Sequence, residues 1–271
     1  MSAPVEGERV AMITGAARGI GSAVARTLAG RGWRLVLVDR CADDPALGYA
    51  LATPADLDAT VAACGGPERA HAVIADVRDQ RALDGAVAAA KDRFGGLDAA
   101  VAAAGGIVGG PAWDDADGAD DRWDAMIGVN LEGVWRLARA AVPLLLERPE
   151  PRTGRFVAVS SAGGSVGLPL LSAYVAAKHG VNGFVRSLAA ELGPFGVTAN
   201  AVAPGSTTTA MLEASAVVYG LLDTVEFNQH HLLGRPLDPD EVAALVAWLC
   251  GTESGGVTGA VLPVDAGMTA R

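Results

Sequence analysis

Three polar residues, Ser161, Tyr174 and Lys178, have the types and the spacing needed to move a proton near neutral pH. Tyr174 and Lys178 are one helical turn apart, so on a helix their side chains lie on the same face. A phenol in water loses its proton only near pH ~10, but a neighbouring ammonium favours the phenolate. Ser161 follows an apolar run, residues 155–160, that predicts a buried strand with the serine at its carboxyl end. The sequence therefore predicts a proton-transfer unit built by this strand and the following helix.

A glycine-rich stretch near the start of the chain suits the binding of a dinucleotide. The apolar run RVAMIT leads directly into the seven residues GAARGIG, numbered 15–21, and then into a helical stretch. Free backbone N–H groups and the positive end of the helix would face one point there, and the glycines would let a pyrophosphate approach. Because glycine is abundant in this chain, the order of strand, turn and helix carries the prediction rather than the glycine spacing.

The second apolar run, LVLVD, ends on Asp39, a position where a carboxylate accepts hydrogen bonds from an adenosine ribose. Its charge would repel a 2′-phosphate by ~1 to 4 kcal/mol, depending on the local dielectric. Arg18 and Arg40 argue the other way, since either could pair with a phosphate, but Asp39 has the greater weight because both arginine side chains can swing into water. The alternative is that Asp39 is only a turn residue at a strand end. The sequence favours NAD over NADP.

The connection that follows Asp39 is longer than a strand-to-helix connection needs. Residues 41–66 begin with CADDPALGYALA and reach Thr53, which can cap a helix with Pro54 in its first turn and Asp56 at its positive end. This insertion starts beside the expected ribose position. It therefore either covers the adenine end of a cofactor or forms a solvated excursion.

Apolar runs and helical periodicities alternate along the rest of the chain. Further strands are predicted over 70–76, 97–104, 155–160, 197–202 and 260–264, and helices over 79–94, 124–147, the stretch containing Tyr174, and 238–250, which a capping box opens. Asp76, Gly105 and Pro204 follow such strands at their carboxyl ends, where parallel sheets bind ligands, and Asp76 is placed to meet an adenine ring. The prediction is one α/β domain over residues 1–271, a doubly wound sheet of about seven parallel strands with helices on both faces.

Composition argues against several classes of partner and location. The chain has 271 residues, 51% of them hydrophobic, and a net charge of −10, which argues against nucleic acid or an anionic membrane surface as a partner. No apolar run approaches the ~18 residues of a membrane span, and no leader peptide is evident, so we expect a soluble, cytoplasmic protein.

Metal binding is not predicted. Cys41, Cys64 and Cys250 lack metal spacing and are expected to be reduced thiols. The acidic run over residues 114–124 lacks the ligand spacing and the closing Glu of a calcium loop, so a solvated turn and an acid-rich helix start are expected there. The histidines at 179, 230 and 231 have no clustered carboxylates or cysteines beside them in the sequence, so surface and loop positions are expected for them.

Together, these motifs resemble the short-chain dehydrogenase/reductase family over nearly the whole chain. The residues that stand in the family's order are Thr14, Gly15, Gly19, Gly21, Asp76, Val77, Asn130, Ser161, Tyr174, Lys178, Pro204 and Gly205. The resemblance implies a Rossmann fold and a nicotinamide-dependent alcohol dehydrogenase or ketone reductase.

The resemblance also implies roles for individual residues. Tyr174 would take the alcohol proton while hydride leaves its carbon, and Ser161 would hydrogen-bond the developing oxyanion. Lys178 would hold the nicotinamide ribose and lower the pKa of the tyrosine, and Asn130 would anchor a water in the proton path. The implied cofactor-binding residues are Gly15, Arg18, Gly19, Ile20, Gly21, Asp39, Asp76, Val77, Ala104, Gly105, Tyr174, Lys178, Pro204, Gly205, Thr207 and Thr209, the two threonines matching positions that hold the carboxamide.

Two departures from the family pattern carry their own expectations. Ala103-Ala104-Gly105 stands where the family usually has Asn-Ala-Gly, so the hydrogen bond of that Asn must be replaced or absent. The insertion at residues 41–66 is similar to the extra segment of the mycofactocin-associated, carveol dehydrogenase-like branch. That similarity implies an NAD that does not exchange freely and is re-oxidised in place by a redox carrier, mycofactocin. Homotetramers are the habit of the family.

The substrate is expected to be a hydrophobic secondary alcohol or its ketone, such as a terpenoid or sterol-like compound. The loops over the site, including a lid over residues 206–236, supply Trp113, Leu168, Leu170, Leu171, Met211, Leu212, Val218, Tyr219 and Phe227. Packing of the lid or of a subunit interface is an equal alternative for these residues. Two other functions stay open, an NADPH-dependent 3-ketoacyl-type reductase, against which Asp39 argues, and a non-catalytic NAD-binding sensor, against which the complete serine, tyrosine and lysine set argues.

Overall fold

Seven strands pair side by side in the order β3-β2-β1-β4-β5-β6-β7, and every pairing between them is parallel. The structure is a computed structural model that describes residues 9–113 and 118–270. The strands are β1 (Val10–Thr14), β2 (Arg34–Asp39), β3 (Ala70–Ile74), β4 (Ala99–Ala102), β5 (Arg155–Val159), β6 (Thr198–Pro204) and β7 (Val261–Val264). The chain adds strands first on one side of β1 and then on the other, so the predicted doubly wound sheet is confirmed.

Eight α-helices of the described ranges cover both faces of the sheet. They are α1 (Gly19–Gly30), α2 (Pro54–Ala63), α3 (Gln80–Phe94), α4 (Ala119–Ile127), α5 (Gly133–Leu146), α6 (Ser172–Leu192), α7 (Ala210–Val218) and α8 (Pro239–Cys250). Side chains of α1, α2 and α8 pack on one face, and those of α3, α5 and α6 pack on the other. Because both faces are covered, strands β1, β5 and β6 are buried at every position, which explains their mainly apolar sequences.

Both predicted helix caps are present, and one of them ends the insertion's irregular part. Thr53 Oγ1 accepts a hydrogen bond from the Asp56 N–H (3.3 Å), and the Asp56 carboxylate accepts one from the Thr53 N–H (2.8 Å). Asp238 and Glu241 form the equivalent box at the start of α8. Such caps are worth ~1 kcal/mol each. The first box fixes where α2 begins, which leaves residues 41–53 as a segment without regular structure.

The prediction of one continuous helix over 124–147 is wrong in one respect. The helix begins at Ala119, within the expected acid-rich start, but a π-helical turn, Gly128–Glu132, separates α4 from α5. Within that turn the Asn130 amide points away from the helix: its Nδ2 donates to the carbonyls of Gly106 (3.0 Å) and Met126 (3.1 Å). Its Oδ1 accepts the Gly106 N–H (3.3 Å). The π-helical turn therefore ties α4 to the loop that follows β4.

Two sequence expectations fall partly outside the described residues. They concern the absence of a leader, which bears on residues 1–8, and the first part of the acidic run, residues 114–117. Within ranges 9–113 and 118–270, every helix is too short or too polar to cross a bilayer.

Candidate active site

A cleft of about 560 Å³ opens at the carboxyl edge of the sheet. It lies where the chain order reverses between β1 and β4, the position at which doubly wound sheets bind nucleotides. Its walls are the glycine-rich stretch, the ends of β2 and β3, the loop after β4, residues of the insertion and the start of α7. Eleven of the sixteen predicted cofactor-binding residues line this cavity, and the five that do not are Tyr174, Lys178, Pro204, Gly205 and Thr207.

The glycine-rich stretch forms an anion cradle that only glycine permits. Gly15 has a φ of 68°, and a Cβ placed there would lie 2.6 Å from Ala104 Cα. A Cβ at Gly21 would overlap the Gly15 carbonyl. Helix α1 starts without a side-chain cap, so its positive end faces the cleft. Close backbone approach and an uncapped helix start are what a pyrophosphate group requires, so the cradle fits a dinucleotide.

Asp39 is fixed at the edge of this cradle. One carboxylate oxygen accepts the Ala17 N–H (3.0 Å) and the other accepts the Cys41 N–H (3.3 Å). Cys41 has a φ of 52°, so the chain turns sharply after the strand. The carboxylate is therefore oriented into the cleft by the backbone on both sides of it, while its contact with a ribose stays a prediction.

The adenine end of the cleft holds a closed network of four charges. Asp44 accepts from Arg40 (2.6 Å) and from Arg78 (2.9 Å). Asp76 pairs closely with Arg78 (2.7 Å) and more loosely with Arg40 (3.4 Å). Arg40 is therefore held by two carboxylates and is not turned into water. Asp76 lines the cleft as predicted, but its carboxylate is already engaged by arginine.

The pKa values of the two carboxyls in this network reflect the arginines. Burial alone would raise the pKa of Asp44, but the Ala46 N–H, Arg40 and Arg78 outweigh it and hold the pKa below its usual value. Burial alone would also raise the pKa of Asp76. The hydrogen bonds and the charge of Arg78 outweigh this effect and hold the pKa below its usual value. Both carboxylates are charged at neutral pH, so the network has no net charge.

Residues 41–53, which we call the cover segment, lie across the cleft. Leu47 packs on Gly106, where an added Cβ would be 2.8 Å from Leu47 Cδ1. The Tyr49 hydroxyl accepts the Ile107 N–H (3.2 Å). The carbonyl of Ala50 accepts a hydrogen bond from Arg18 Nη2 (2.7 Å), so Arg18 contacts the cover segment. Of the two alternatives for the insertion, the structure shows a cover and not a solvated excursion.

Ser161, Tyr174 and Lys178 are brought together as predicted. Lys178 Nζ lies 5.6 Å from the centre of the Tyr174 ring and donates to the Val159 carbonyl (3.0 Å) at the end of β5. Ser161 Oγ accepts the Gly163 N–H (3.0 Å) in a short 3₁₀ turn, and Ser161 also hydrogen-bonds Tyr174. Both the tyrosine and the lysine are buried on α6. Strand β5 and helix α6 thus place all three groups at one point.

Burial dominates the acid–base properties of this group. It raises the pKa of Tyr174 above its ordinary value, although the hydrogen bond with Ser161 opposes the shift. Burial also lowers the pKa of Lys178 to about 8. The expected lowering of the tyrosine pKa by Lys178 is therefore not what this structure shows. At pH 7 the lysine remains an ammonium with a strong tendency to find hydrogen-bond acceptors.

The three groups lie just behind the inner wall of the cleft rather than in its lining. A Cβ at Gly105, which does line the cleft, would be 3.9 Å from Lys178 Nζ and 3.7 Å from Met211 Cε. Tyr174 is only 7% exposed because Leu47, Leu171 and neighbouring apolar side chains cover it. A substrate therefore reaches the phenol only if side chains of the lid or the cover segment move.

The apolar residues predicted to line a substrate site divide into three groups. Leu168, Leu171, Met211, Val218 and Tyr219 pack in the same cluster as Tyr174. Leu212 and Phe227 instead pack together in a separate cluster within the lid, so their role is structural. Trp113 is 86% exposed and Leu170 38% exposed, away from that packing. The first group is the apolar wall next to the reactive hydroxyls.

The loop after β6 closes the other side of the cleft. Gly205 has no room for a side chain, because a Cβ there would be 2.9 Å from Asp265 Cα. Thr207 Oγ1 donates to the Gly205 carbonyl, and Thr209 Oγ1 donates to the Thr207 carbonyl. A Cβ at Gly19 would be 3.3 Å from the Thr209 methyl group. The loop that follows Pro204 is therefore rigid and touches the glycine-rich stretch.

Contacts also explain three other predicted positions. Ile20 and Val77 line the cleft, and Val77 fills the space that Gly133 leaves, 2.6 Å from its Cβ position. The Ala104 N–H donates to Thr14 Oγ1 (3.3 Å), so Thr14 links β1 to the loop after β4 where the family's asparagine is missing. The Asn130 amide forms hydrogen bonds with the backbone of Gly106 and Met126. Its role in anchoring a water stays a prediction.

Sequence reasoning missed three residues of the site, Asp44, Leu47 and Tyr49. They lie in the cover segment, which has no period that would reveal an inward face. One signal was available: the chain has three tyrosines, and all three, including Tyr219, pack in the cluster around Tyr174. A rare aromatic residue inside an insertion was the clue.

No cysteine or histidine of the described residues lines the cleft. Cys41, Cys64 and Cys250 are free thiols whose pKa values burial raises to about 11, 11 and 12. Over the described ranges, no three His, Cys, Asp or Glu side chains come close enough to hold a metal ion. His231 is buried against expectation, with Nε2 accepting the Ser206 N–H (3.2 Å).

Comparison with known proteins agrees with the geometry. The family described as Enoyl-(Acyl carrier protein) reductase matches residues 15–269. The chain is 38% identical to the (−)-trans-carveol dehydrogenase of Rhodococcus erythropolis, covering 99% of this chain and 100% of that protein. The crystal structure of carveol dehydrogenase from Mycobacterium avium in complex with NAD superposes with a TM-score of 0.89 at 35% identity, over 97% of this chain and 98% of that one.

A second solved structure, a short chain dehydrogenase from Mycobacterium paratuberculosis bound to NAD, has a TM-score of 0.87 at 33% identity, over 99% of this chain and 100% of that one. These matches extend over nearly the whole chain. The chain therefore belongs to the short-chain dehydrogenase/reductase family of oxidoreductases.

Proposed function

We propose that the protein transfers a hydride between a small hydrophobic secondary alcohol, or its ketone, and NAD. The observation that carries this proposal is the meeting of Tyr174, Ser161 and Lys178 directly behind Gly105, at the inner end of a cleft built for a dinucleotide. A hydroxyl donor, a proton-transfer group and a buried cation at one point serve carbonyl chemistry.

The three residues divide the proton chemistry among them. The bound nicotinamide supplies the hydride acceptor or donor. Tyr174 takes the alcohol proton or returns it, so one proton and one hydride leave the alcohol together. Ser161, hydrogen-bonded to that phenol, donates to the substrate oxygen as it gains negative charge. Lys178 stays protonated at pH 7 and offers its ammonium to the nicotinamide ribose.

NAD is the dinucleotide that the binding residues support best. Asp39 is held into the cleft where a ribose 2′-hydroxyl would bind and where a 2′-phosphate would be repelled. Two solved relatives carry NAD in their names. The competing reading, an NADPH-dependent 3-ketoacyl-type reductase, needs an arginine free for the phosphate. Arg18 and Arg40 are both engaged by the cover segment, which disfavours that reading.

The cover segment supports a nucleotide that is held between turnovers. It joins the end of β3, the loop after β4 and the glycine-rich stretch through Asp44, Tyr49 and Ala50. Release of a nucleotide would break these contacts together. We propose that NAD remains bound and is re-oxidised in place by a redox carrier such as mycofactocin, in a protein that assembles as a homotetramer.

The proposed substrate class rests on the apolar wall beside Tyr174. Leu168, Leu171, Met211 and Val218 offer apolar surface and no charge to a ligand at the phenol. Two similar proteins are named for carveol. A compact cyclic alcohol would fill such a wall, whereas a charged or strongly polar substrate would lose hydration there without compensation.

A panel of alcohols tests the proposal, each assayed with free NAD and with an artificial electron acceptor. We expect oxidation of cyclic hydrophobic secondary alcohols with the artificial acceptor, little turnover with free NAD alone, and NAD in the supernatant of the denatured protein. Turnover with free NAD and an empty purified protein would remove the retained-nucleotide part. A protein that binds NAD but oxidises no alcohol and reduces no ketone would favour the sensor reading.

A further inference from the structure

The charge network at the adenine end bears on the discrimination between NAD and NADP, which does not depend on Asp39 alone. Arg40 follows Asp39 directly and lines the same cleft, so its guanidinium is within the region where a 2′-phosphate would lie. A guanidinium is the side chain best suited to bind a phosphate through two hydrogen bonds. Arg40 is near enough to bind such a phosphate, but its guanidinium is already engaged by another side chain.

Asp44, from the cover segment, makes that contact. It is 7% exposed and bonds Arg40 Nη1 at 2.6 Å. Asp76 does not compete for Arg40 to the same degree, because Arg78 binds both of its carboxylate oxygens through Nε (3.1 and 3.2 Å) and Nη2 (2.7 Å). Arg40 reaches Asp76 only at 3.4 Å. Asp44 is therefore the group that neutralises Arg40.

We propose that Asp44 is a specificity-determining residue that excludes NADP by occupying Arg40. The inference rests on the proposed function, in which NAD binds in this cleft. With Asp44 in place, a 2′-phosphate would meet the charge of Asp39 and a network without net charge. Without it, Arg40 keeps only its looser contact with Asp76 (3.4 Å), the network carries a net positive charge beside the ribose, and the discrimination against NADP depends mainly on Asp39.

This division of labour predicts a non-additive result. Asp39→Asn removes the repulsion but leaves Arg40 paired, so the gain in NADP binding is small. Asp44→Asn frees Arg40 but leaves the repulsion. The double variant removes both obstacles, and its gain exceeds the product of the two single gains, as expected for neighbouring groups that act on one ligand atom.

The experiment measures bound nucleotide rather than turnover. Wild type and the variants Asp39→Asn, Asp44→Asn and the double variant are purified from cells, which hold both dinucleotides while the chains fold, and their bound NAD and NADP are quantified after denaturation. The same proteins are then dialysed to constant composition against equimolar NAD and NADP, and the protein side is quantified again.

Two further variants separate the proposal from a loosened cover segment. Asp43→Asn is the matched control, because Asp43 is exposed and accepts the Leu51 N–H (2.8 Å) within the same segment without contacting an arginine. Arg40→Met in the Asp44→Asn background removes the cation that the proposal releases.

We expect the ratio of bound NADP to bound NAD to rise about tenfold in Asp44→Asn and at least about a hundredfold in the double variant, where tenfold corresponds to ~1.4 kcal/mol. The ratio should stay at the wild-type value in Asp43→Asn and return to it when Arg40→Met is added. A ratio unchanged by Asp44→Asn, or raised equally by Asp43→Asn, would overturn the inference while leaving the NAD site in place. No nucleotide bound to wild type after dialysis would instead count against the proposed function.

Discussion

The two ends of the cleft hold their charges in opposite ways. At the adenine end, two arginines and two aspartates pair within 2.6 to 3.4 Å, in partly exposed positions. At the inner end, Lys178 is buried with a backbone carbonyl as its hydrogen-bond partner, and its pKa falls to about 8. At the adenine end the opposite charges neutralise one another. At the inner end Lys178 keeps a positive charge that burial disfavours.

Under the proposed function, the outer end selects the nucleotide and the inner end carries out the chemistry. Paired charges reduce each other's desolvation penalty and leave only a weak electrostatic field for a ligand. The outer end therefore discriminates between nucleotides because it offers no unpaired cation to a phosphate. An unpaired buried cation is costly in the free protein but interacts strongly with a ligand in a low dielectric. The following variants are arranged to test that contrast, beginning at the inner end.

Tyr174→Phe should have the largest effect. Removal of the hydroxyl takes away the proton acceptor, so kcat for alcohol oxidation should fall by about 10³-fold or more. Because the ring stays in the apolar cluster, the nucleotide content of the purified protein should not change. Steady-state rates and nucleotide released on denaturation measure the two quantities. Turnover within about tenfold of wild type would assign the proton transfer to another group.

Ser161→Ala should lower kcat by about 10²-fold, since it removes a donor to the oxyanion. It should also alter the pH profile. Burial raises the pKa of Tyr174 and the Ser161 hydrogen bond opposes that rise, so the wild-type oxidation rate should increase with pH as the phenolate forms. In Ser161→Ala the rising limb should shift to higher pH. An unshifted limb would show that Ser161 does not stabilise the phenolate.

Lys178→Met should separate catalysis from stability. The folded pKa of about 8 lies below the unfolded value of 10.5, so burial of the ammonium costs about 3 kcal/mol at neutral pH. The cost is present in full below pH 8 and disappears as the pH rises toward 10.5. We expect the variant to lose activity and, once nucleotide is removed from both proteins, to be more resistant to urea than wild type at pH 7. The two unfolding free energies should converge as the pH rises above 8.

Tyr49→Phe should have the smallest effect, confined to the cover segment. It removes one hydrogen bond, to the Ile107 N–H, which is worth ~0.5–1.5 kcal/mol. We expect the bound nucleotide to exchange with labelled NAD about two- to tenfold faster while kcat changes little. Tyr219→Phe, in the same cluster but outside the cover segment, is the control. Equal acceleration in both variants would mean that the cluster, and not the hydrogen bond, slows exchange.

The parts of the fold that were predictable from sequence are those with a period or a fixed spacing. Buried strands need apolar runs, and the capping boxes at Thr53 and Asp238 need particular side chains at fixed offsets. The meeting of Ser161 with Tyr174 and Lys178 follows from parallel strands that end at one edge. These features are local or follow from topology.

The rest depends on contacts between distant segments. The π-helical turn at Asn130 arises because its amide bonds Gly106, which lies in another loop. Arg18 and Arg40 find partners in the cover segment, whose path no sequence period describes. The pKa of Tyr174 depends on burial by four segments at once, and a spacing of one helical turn to Lys178 cannot give its sign.

Gly106 lies between the cover segment and the inner end of the cleft, and its lack of a Cβ atom lets Leu47 pack against it. Its backbone is held by Asn130 from below, and Leu47 rests on it from above where a methyl group would intrude. An alanine there would force the end of the Leu47 side chain to shift away from the loop without touching Tyr174 or Lys178. If NAD is retained as proposed, we expect Gly106→Ala to loosen this contact and to raise the turnover that free NAD sustains.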